Sequence, residues 1–260
     1  MNNPKISIVT IAYNSAATIE ETIQSVVGQS YDNVEYIIVD GGSTDDTLAI
    51  VERYKDRVAR LVSEPDNGIS DAFNKGIGLC TGDVIGIINS DDVLLPGALR
   101  QLADAFDGET DVYRANTIIW NPDTGFKGRE IPSMKFPTIP LIIHNAHQST
   151  FVTPQAYQRY GTFDTTFRFF MDLDLLTRFY KAGAKMKQLD FDAAMFRIGG
   201  VTFTPIWKKK DEMKRMVRKN GGSWLQSNVY YWGMFVQELI KRTLNVIFGD
   251  DFKRKIRYRK

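Results

Sequence analysis

Cysteine is almost missing from this 260-residue chain: Cys80 is the only one. An intrachain disulfide and a cysteine-rich zinc site are therefore excluded, and a reducing compartment is the natural setting. No window reaches about 18 uninterrupted apolar residues, so no membrane-crossing helix is expected. Met1 to Thr10 lacks a basic start followed by a long apolar run, so no cleaved signal peptide is expected either, and the expected location is cytoplasmic. No Gly-x-Gly-x-x-Gly follows the first apolar run, which argues against a dinucleotide dehydrogenase. Internal repeats and low-complexity linkers are also lacking.

What is present is the composition of a globular protein, 43% hydrophobic and 25% charged. At this length it buries one sizeable core, or one domain and an appendage. The net charge of +2 conceals a strong asymmetry. Pro205 to Lys260 carries 15 Lys and Arg against 5 Asp and Glu, whereas Met1 to Thr204 carries 18 against 26. An acidic body with a basic end implies that the end meets something anionic.

The first ~110 residues alternate strand and helix patterns. Ile6 to Ala12, Val34 to Val39, Val58 to Val62 and Val84 to Ile88 read as strands, the buried kind being nearly continuous apolar runs. Thr18 to Val27, Asp45 to about Lys55, Ser70 to Leu79 and Pro96 to about Phe106 read as helices. Short joints between them imply a doubly wound, mainly parallel sheet. Ligands in such sheets sit beyond the carboxyl ends of the strands. Thr10–Asn14, Asp40–Ser43, Glu64–Gly68 and Asn89–Asp92 fall at such ends. Further on, Asp111–Trp120 and Phe126–Ile131 suggest a hairpin, Pro132–Pro140 a loop, Asp172–Lys181 a helix, and Met186–Asp190 and Ala193–Ile198 two closing strands. The expected boundary lies near Pro205, between a domain of residues 1–204 and an extension of residues 205–260.

Four clusters have the residue types for chemistry, and each has a plainer use. Asn89-Ser90-Asp91-Asp92 sets two acids after an apolar strand, where a hard cation would offset their charge; the same acids could cap the helix that follows Pro96. Asp40 before Gly41-Gly42 could accept from a nucleoside or could close an Asx turn. Asp71, Asn74 and Lys75 lie about one helical turn apart and could share a face toward a ligand or toward solvent. Asp172 and Asp174 point to different faces of their helix, so only one of them suits a catalytic base; both also suit a helix start.

Taken in order, these pieces make the chain resemble a family 2 inverting glycosyltransferase with the GT-A fold. The resemblance rests on Ser7–Asn14, Val39–Asp45, Asp66–Gly76, Gly82-Asp83 with Asn89–Asp92, His147–Phe151 and Met171–Leu175, and spans roughly residues 5 to 204. It implies transfer of a sugar from a nucleotide diphosphate donor, a UDP-sugar being favoured. Backbone near Thr10 and Ala12, with Asn14, Asp40, Asn67, Asp71 and Asn74, would hold the nucleoside. Ser90, Asp91 and Arg197 would approach the diphosphate, and Asp92 with Asp91 would hold Mg²⁺ or Mn²⁺. Asp172 would be the catalytic base, with His147 and Asp174 toward the acceptor. The chain departs from many members at Met171, where a Glu is usual, and it lacks the Gln-x-x-Arg-Trp element of processive members. Transfer of one sugar to a saccharide or lipid-linked acceptor, in surface polysaccharide biosynthesis, is the expectation. A sugar nucleotidyltransferase would want a Gly-rich loop where Asn14-Ser15-Ala16-Ala17 stands; a non-catalytic binding module would use the acids only as caps.

The basic end holds an apolar, helix-spaced stripe through Val229, Trp232, Phe235, Val236, Leu239, Ile240, Thr243, Leu244 and Ile247. Basic residues beside such a face suit a helix lying on the anionic inner leaflet of the cell membrane. Packing on the catalytic domain or a second subunit is the alternative. No stacking platform accompanies the charge, so nucleic acid is not expected.

Overall fold

The computed structural model describes residues 3–133, 146–199 and 204–248. His144, most of the loop expected over Pro132–Pro140, Gly200 and the basic run Lys253–Lys255 lie outside them.

The N-terminal half folds as its periodicity dictates. Strands β1 (Ile6–Ala12), β2 (Val34–Asp40), β3 (Arg60–Ser63) and β4 (Val84–Asn89) lie in the order β3-β2-β1-β4, all parallel. Alternate side chains leave opposite faces of the sheet. Ile6 and Ile8 of β1 face helix α1 (Ile19–Val27) through Ile19, Ile23 and Val26, and share that core with Leu99 and Leu102 of α4 (Ala98–Ala105). Val9 faces the other way, into a core with Ala72, Phe73 and Ile77 of α3 (Ile69–Leu79). α3 comes so near that a Cβ on Gly76 would sit 2.3 Å from Val9 Cγ1. α2 (Thr47–Glu52) is shorter than the helix read from Asp45 to Lys55, because a separate 3-10 turn takes Lys55–Arg57.

The second half of the sheet is mixed, so the mainly parallel arrangement holds for the first four strands only. β5 (Val93–Leu94), β6 (Val112–Trp120), β7 (Lys127–Glu130), β8 (Thr150–Val152) and β9 (Met186–Arg197) extend it. β8 runs antiparallel to both β4 and β6, β9 runs parallel to β6, and β5 pairs antiparallel with β9. The expected hairpin is β6–β7, joined by Asn121–Phe126, a connection too short for anything but antiparallel pairing. The two strands read at Met186–Asp190 and Ala193–Ile198 are one strand, which keeps its partner through register shifts on either side of Asn116. Helix α5 (Pro154–Tyr160) was not anticipated, although Thr153-Pro154 signals a start: Thr153 Oγ1 accepts from Ala156 N at 3.3 Å, and Pro sits in the first turn.

Helix α6 (Met171–Lys181) closes the lower core, and α7 (Lys210–Lys219) packs into it. Met213, Met216 and Val217 are fully buried in the same cluster as Val9 and Phe73. The packing therefore shows no break at Pro205: the basic extension begins inside the core. α8 (Trp224–Phe248) leaves an apolar face in solvent. Its Tyr231 is buried, whereas Trp224, Leu225, Val229, Trp232, Val236, Leu239, Ile240 and Ile247 are 48–69% exposed. Among the described residues no helix is long and apolar enough to cross a membrane.

Candidate active site

Four parallel strands place their carboxyl ends on one edge, and the turns there are braced against one another. Gly41 N donates to Ala12 O at 2.8 Å and Glu64 N donates to Asp40 O at 3.0 Å. Asn14 adopts φ +48°, and its Oδ1 accepts from Thr44 N at 2.9 Å. Ser90 Oγ donates to Ser15 Oγ at 2.7 Å, tying the turn after β4 to the turn after β1. Tyr13 stands exposed beside Gly41, where a Cβ would lie 2.4 Å from Asp66 Oδ2.

The two acids after β4 have different fates. Asp92 is fully buried and receives three donors: Gln148 Nε2 at 2.8 Å and Asn89 Nδ2 at 3.1 Å on Oδ2, and Arg197 N at 3.0 Å on Oδ1. Burial, then the charge of Asp91, pushes its carboxyl up to about 7 in spite of those bonds. Asp91 is partly open, and burial raises its carboxyl too. Its own backbone N–H, then the charges of Arg197 and His147, act against that rise. Asn89 Oδ1 beside them is buried with no partner. A half-buried carboxylate with no ion pair among the described residues and a carbonyl oxygen with no partner among them are hard-oxygen ligands, and they fit Mg²⁺ or Mn²⁺, which takes one or two carboxylates and completes its shell with water and phosphate. No group of three or more His, Cys, Asp or Glu side chains converges among the described residues; such a cage is not what these ions need. Of the two acids expected to hold a metal, Asp92 braces the turn through Gln148 and Arg197, while Asp91 is partly open.

Asp172 lies in the first turn of α6 and is 16% exposed. Its Oδ1 accepts from Leu173 N at 2.8 Å, and its Oδ2 lies 3.8 Å from His147 Nδ1, too far for a hydrogen bond. His147 packs against the Phe73 ring at 5.4 Å, and its Nε2 is buried without a partner. A positive charge on His147 would lower the pKa of both Asp91 and Asp92. The imidazole thus lies beside the acid of α6, and its charge would also bear on the acids after β4.

Several expected contacts are taken up by the scaffold instead. Asp174 is fully buried and faces away from His147: it accepts from Arg178 Nε at 2.8 Å, Lys219 Nζ at 3.0 Å and Asn220 Nδ2 at 2.9 Å, so it clamps α7 to α6 and has no surface for an acceptor. Asn74 spends its amide on Phe163, donating to its O at 2.8 Å and accepting from its N at 3.0 Å. The Asp40 carboxylate closes its own turn, accepting from Gly42 N and Ser43 N at 3.0 Å, from Ser63 Oγ at 2.7 Å and from Ser43 Oγ, so a nucleoside would have to displace one of them. Thr10 is buried in the ladder, its hydroxyl accepting from Tyr36 at 3.0 Å; Ala12 is buried at the strand end. Asn67 and Asp71 remain at the rim, with Asn67 N donating to Asp71 Oδ2 at 3.0 Å. Arg197 joins the acids, its Nε donating to Asp91 O at 3.1 Å, its guanidinium paired with Glu21 and stacked 4.6 Å from the Trp120 ring centroid. Gln148, Asn89 and Tyr13 lie within the motifs read from the sequence but carry no role of their own there; each adjoins a singled-out residue.

A parallel half-sheet with acids at its carboxyl edge, an antiparallel and mixed extension, and an acid on a facing helix define a GT-A type fold. The Glycosyl transferase family 2 profile matches residues 7–198, and the chain belongs to that family. It is 28% identical over 196 residues to an uncharacterized glycosyltransferase of Rickettsia prowazekii, covering 70% of this chain and 60% of the relative. It is 39% identical over 105 residues to the chondroitin synthase of Escherichia coli, covering 40% of this chain and 15% of that one. The chain thus spans well under two thirds of these relatives. Among solved structures, S. aureus TarS 1–349 in complex with UDP-GlcNAc matches with TM-score 0.66 and 17% identity over 97% of this chain and 76% of that one. Mannosyltransferase PcManGT from Pyrobaculum calidifontis, in complex with GDP-Man and Mn²⁺, matches with TM-score 0.62 and 17% identity over 88% and 70%.

Proposed function

We propose that this protein transfers one sugar, with inversion, from a nucleotide diphosphate donor to a hydroxyl of a saccharide or lipid-linked acceptor. The observation that supports the reading is His147, whose Nδ1 lies 3.8 Å from Asp172 Oδ2 and whose charge would bear on Asp91, so that one acid would serve the acceptor side and the other the donor side. Asp91, with Asn89 Oδ1 as a further oxygen, would hold Mg²⁺ or Mn²⁺, and the bound cation supplies charge to the departing diphosphate. Asp172 Oδ2 takes the acceptor hydroxyl's proton while that oxygen bonds to the anomeric carbon and the bond to the diphosphate breaks. Attack from the face opposite the leaving group inverts the centre. His147 orders the space between, and Tyr13, Asn67 and Asp71 line the rim where a nucleoside fits. UDP-sugars are the favoured donors because a structural neighbour carries UDP-GlcNAc, although another carries GDP-Man.

The test is thermal stabilisation and nucleotide release across UDP-, GDP- and dTDP-sugars, with Mn²⁺ or with EDTA. One nucleotide should stabilise the protein only with the metal, Asp91→Ala should lose that effect, and Asp172→Asn should keep it while losing turnover. Stabilisation indifferent to both EDTA and Asp91→Ala would remove the metal from the reading.

The exposed face of α8 supports contact with an anionic leaflet, where a lipid-linked acceptor of surface polysaccharide synthesis would reside. Two tryptophans stand on that face, and Arg242 lies on the same helix. Removing residues 205–260 would open the core at Met213, so the decisive variant is the full chain with Val229→Asp and Val236→Asp. It should fail to float with vesicles containing phosphatidylglycerol that carry the parent; equal flotation would reject the contact.

A further inference from the structure

We propose that Glu212 of α7 is a positioning residue for Asp172, holding the backbone that delivers the base into the site. The inference rests on the reading of Asp172 as the base. Phe170 caps α6 without any side-chain bond of its own. The anion comes from elsewhere: one oxygen of Glu212 accepts the N–H groups of Arg168, Phe169 and Phe170 at 3.0, 2.6 and 3.0 Å. Charged acceptors make the stronger hydrogen bonds, and an anion ahead of a helix N-terminus also meets its dipole. Three consecutive amides aimed at one oxygen fix both the direction and the depth at which the chain enters α6, two residues before Asp172.

The rest of α7 secures the approach to this point. Arg215 donates to Thr166 O, and Lys219 pairs with Asp164 at 2.7 Å and Asp174 at 3.0 Å. Those contacts hold the loop and the far side of α6; Glu212 hydrogen-bonds the residues directly before the base. Lys209 stacks on Phe169 at 5.1 Å, close enough to feel the charges of Glu238, Glu212 and Asp172. The bonds bridge 42 to 44 residues of chain, so the base on α6 takes its position from an element beyond residue 205. A displacement of about 1 Å at a reacting group can cost on the order of 10²-fold in rate.

The experiment compares the full chain with Glu212→Ala, Glu212→Gln and Asp172→Asn. UDP release from UDP-GlcNAc, UDP-glucose and UDP-galactose is followed at saturating donor, with UDP affinity in Mn²⁺ by calorimetry and amide exchange at Arg168–Phe170. Glu212→Ala should lower kcat at least about tenfold, leave UDP affinity within about twofold, and speed exchange at the three amides. Glu212→Gln, which keeps a carbonyl acceptor, should recover part of kcat. If the alanine variant does not fold, the glutamine variant decides: reduced kcat with retained UDP affinity supports the role. Parental kcat in a folded Glu212 variant, or equal loss of kcat and UDP affinity, overturns it. Parental turnover in Asp172→Asn, or no UDP release from the parent, instead overturns the reading of the base.

Discussion

Asp172 and Asp174 sit two residues apart on one helix, and their substitution by Asn should separate chemistry from stability. Asp174 is fully buried, and its carboxylate holds Arg178 and Lys219 at 2.8 and 3.0 Å and Asn220 at 2.9 Å. Removing one member of a buried ion pair costs roughly 3–5 kcal/mol. Here the stranded cations are 24% and 35% exposed and keep other partners: Arg178 donates to Tyr160 O and Thr162 O, and Lys219 reaches Asp164. The loss should fall lower, about 2–3 kcal/mol, and at roughly 2–4 °C per kcal/mol for a chain of this size Tm should drop about 5–10 °C. Asp172 receives a side-chain bond from the neighbouring Leu173 N and is partly open, so Asp172→Asn should move Tm by no more than about 2 °C. Its turnover should fall by about 10²–10⁴, whereas Asp174→Asn, assayed below its Tm, should stay within a few-fold of the parent. The assay is a thermal melt beside a nucleotide-release measurement on the same preparations. An Asp174→Asn protein with parental Tm and no turnover would refute the division, because it would place the buried acid in the site.

Two further outcomes follow from the scaffold. Burial raises the Glu35 carboxyl, but Ser7, both the N–H and hydroxyl of Thr81, and Lys5 outweigh it and bring the group down to about 2 from the usual 4.5. A carboxyl depressed in the fold stabilises it fully above the unfolded value and loses that contribution as pH falls through about 2; Glu35→Gln should therefore cost about 2–3 kcal/mol at pH 7, and the gap between the two proteins in denaturant titrations should close near pH 2. Gly76→Ala would set a Cβ 2.3 Å from Val9 Cγ1 in a fully buried part of β1, so α3 must move away at about 1–3 kcal/mol; an unchanged denaturation midpoint would show that this helix already has room.

The elements that were legible are those whose own residues decide them. β1, β2 and β4 are apolar runs ending in turn residues, and α1 and α3 carry a stripe of one period; local pattern and burial agree there. The mixed half of the sheet was less legible, because a strand such as β8 has three residues and takes its place from β4 and β6 on either side. β9 was split in two because Asp190 and Asp192 interrupt its apolar pattern at the exposed edge, where Asp192 meets Arg129 across the sheet.

The site shows the same division more sharply. Motifs indicated which residues meet at the carboxyl edge, yet they did not distinguish a residue that faces the gap from one that supports its neighbours. Asp91 and Asp92 are adjacent and chemically alike; what separates them is Gln148, 56 residues away, and the Arg197 backbone, 105 residues away, both of which close on Asp92. Asp172 and Asp174 differ for the same reason, since Lys219 and Asn220 of the basic extension claim the second. In each pair one acid is braced by several long-range donors, while its twin accepts fewer hydrogen bonds among the described residues. Which acid of a pair keeps acceptor capacity is therefore decided by donors distant in sequence, and it becomes visible only when those donors are in place.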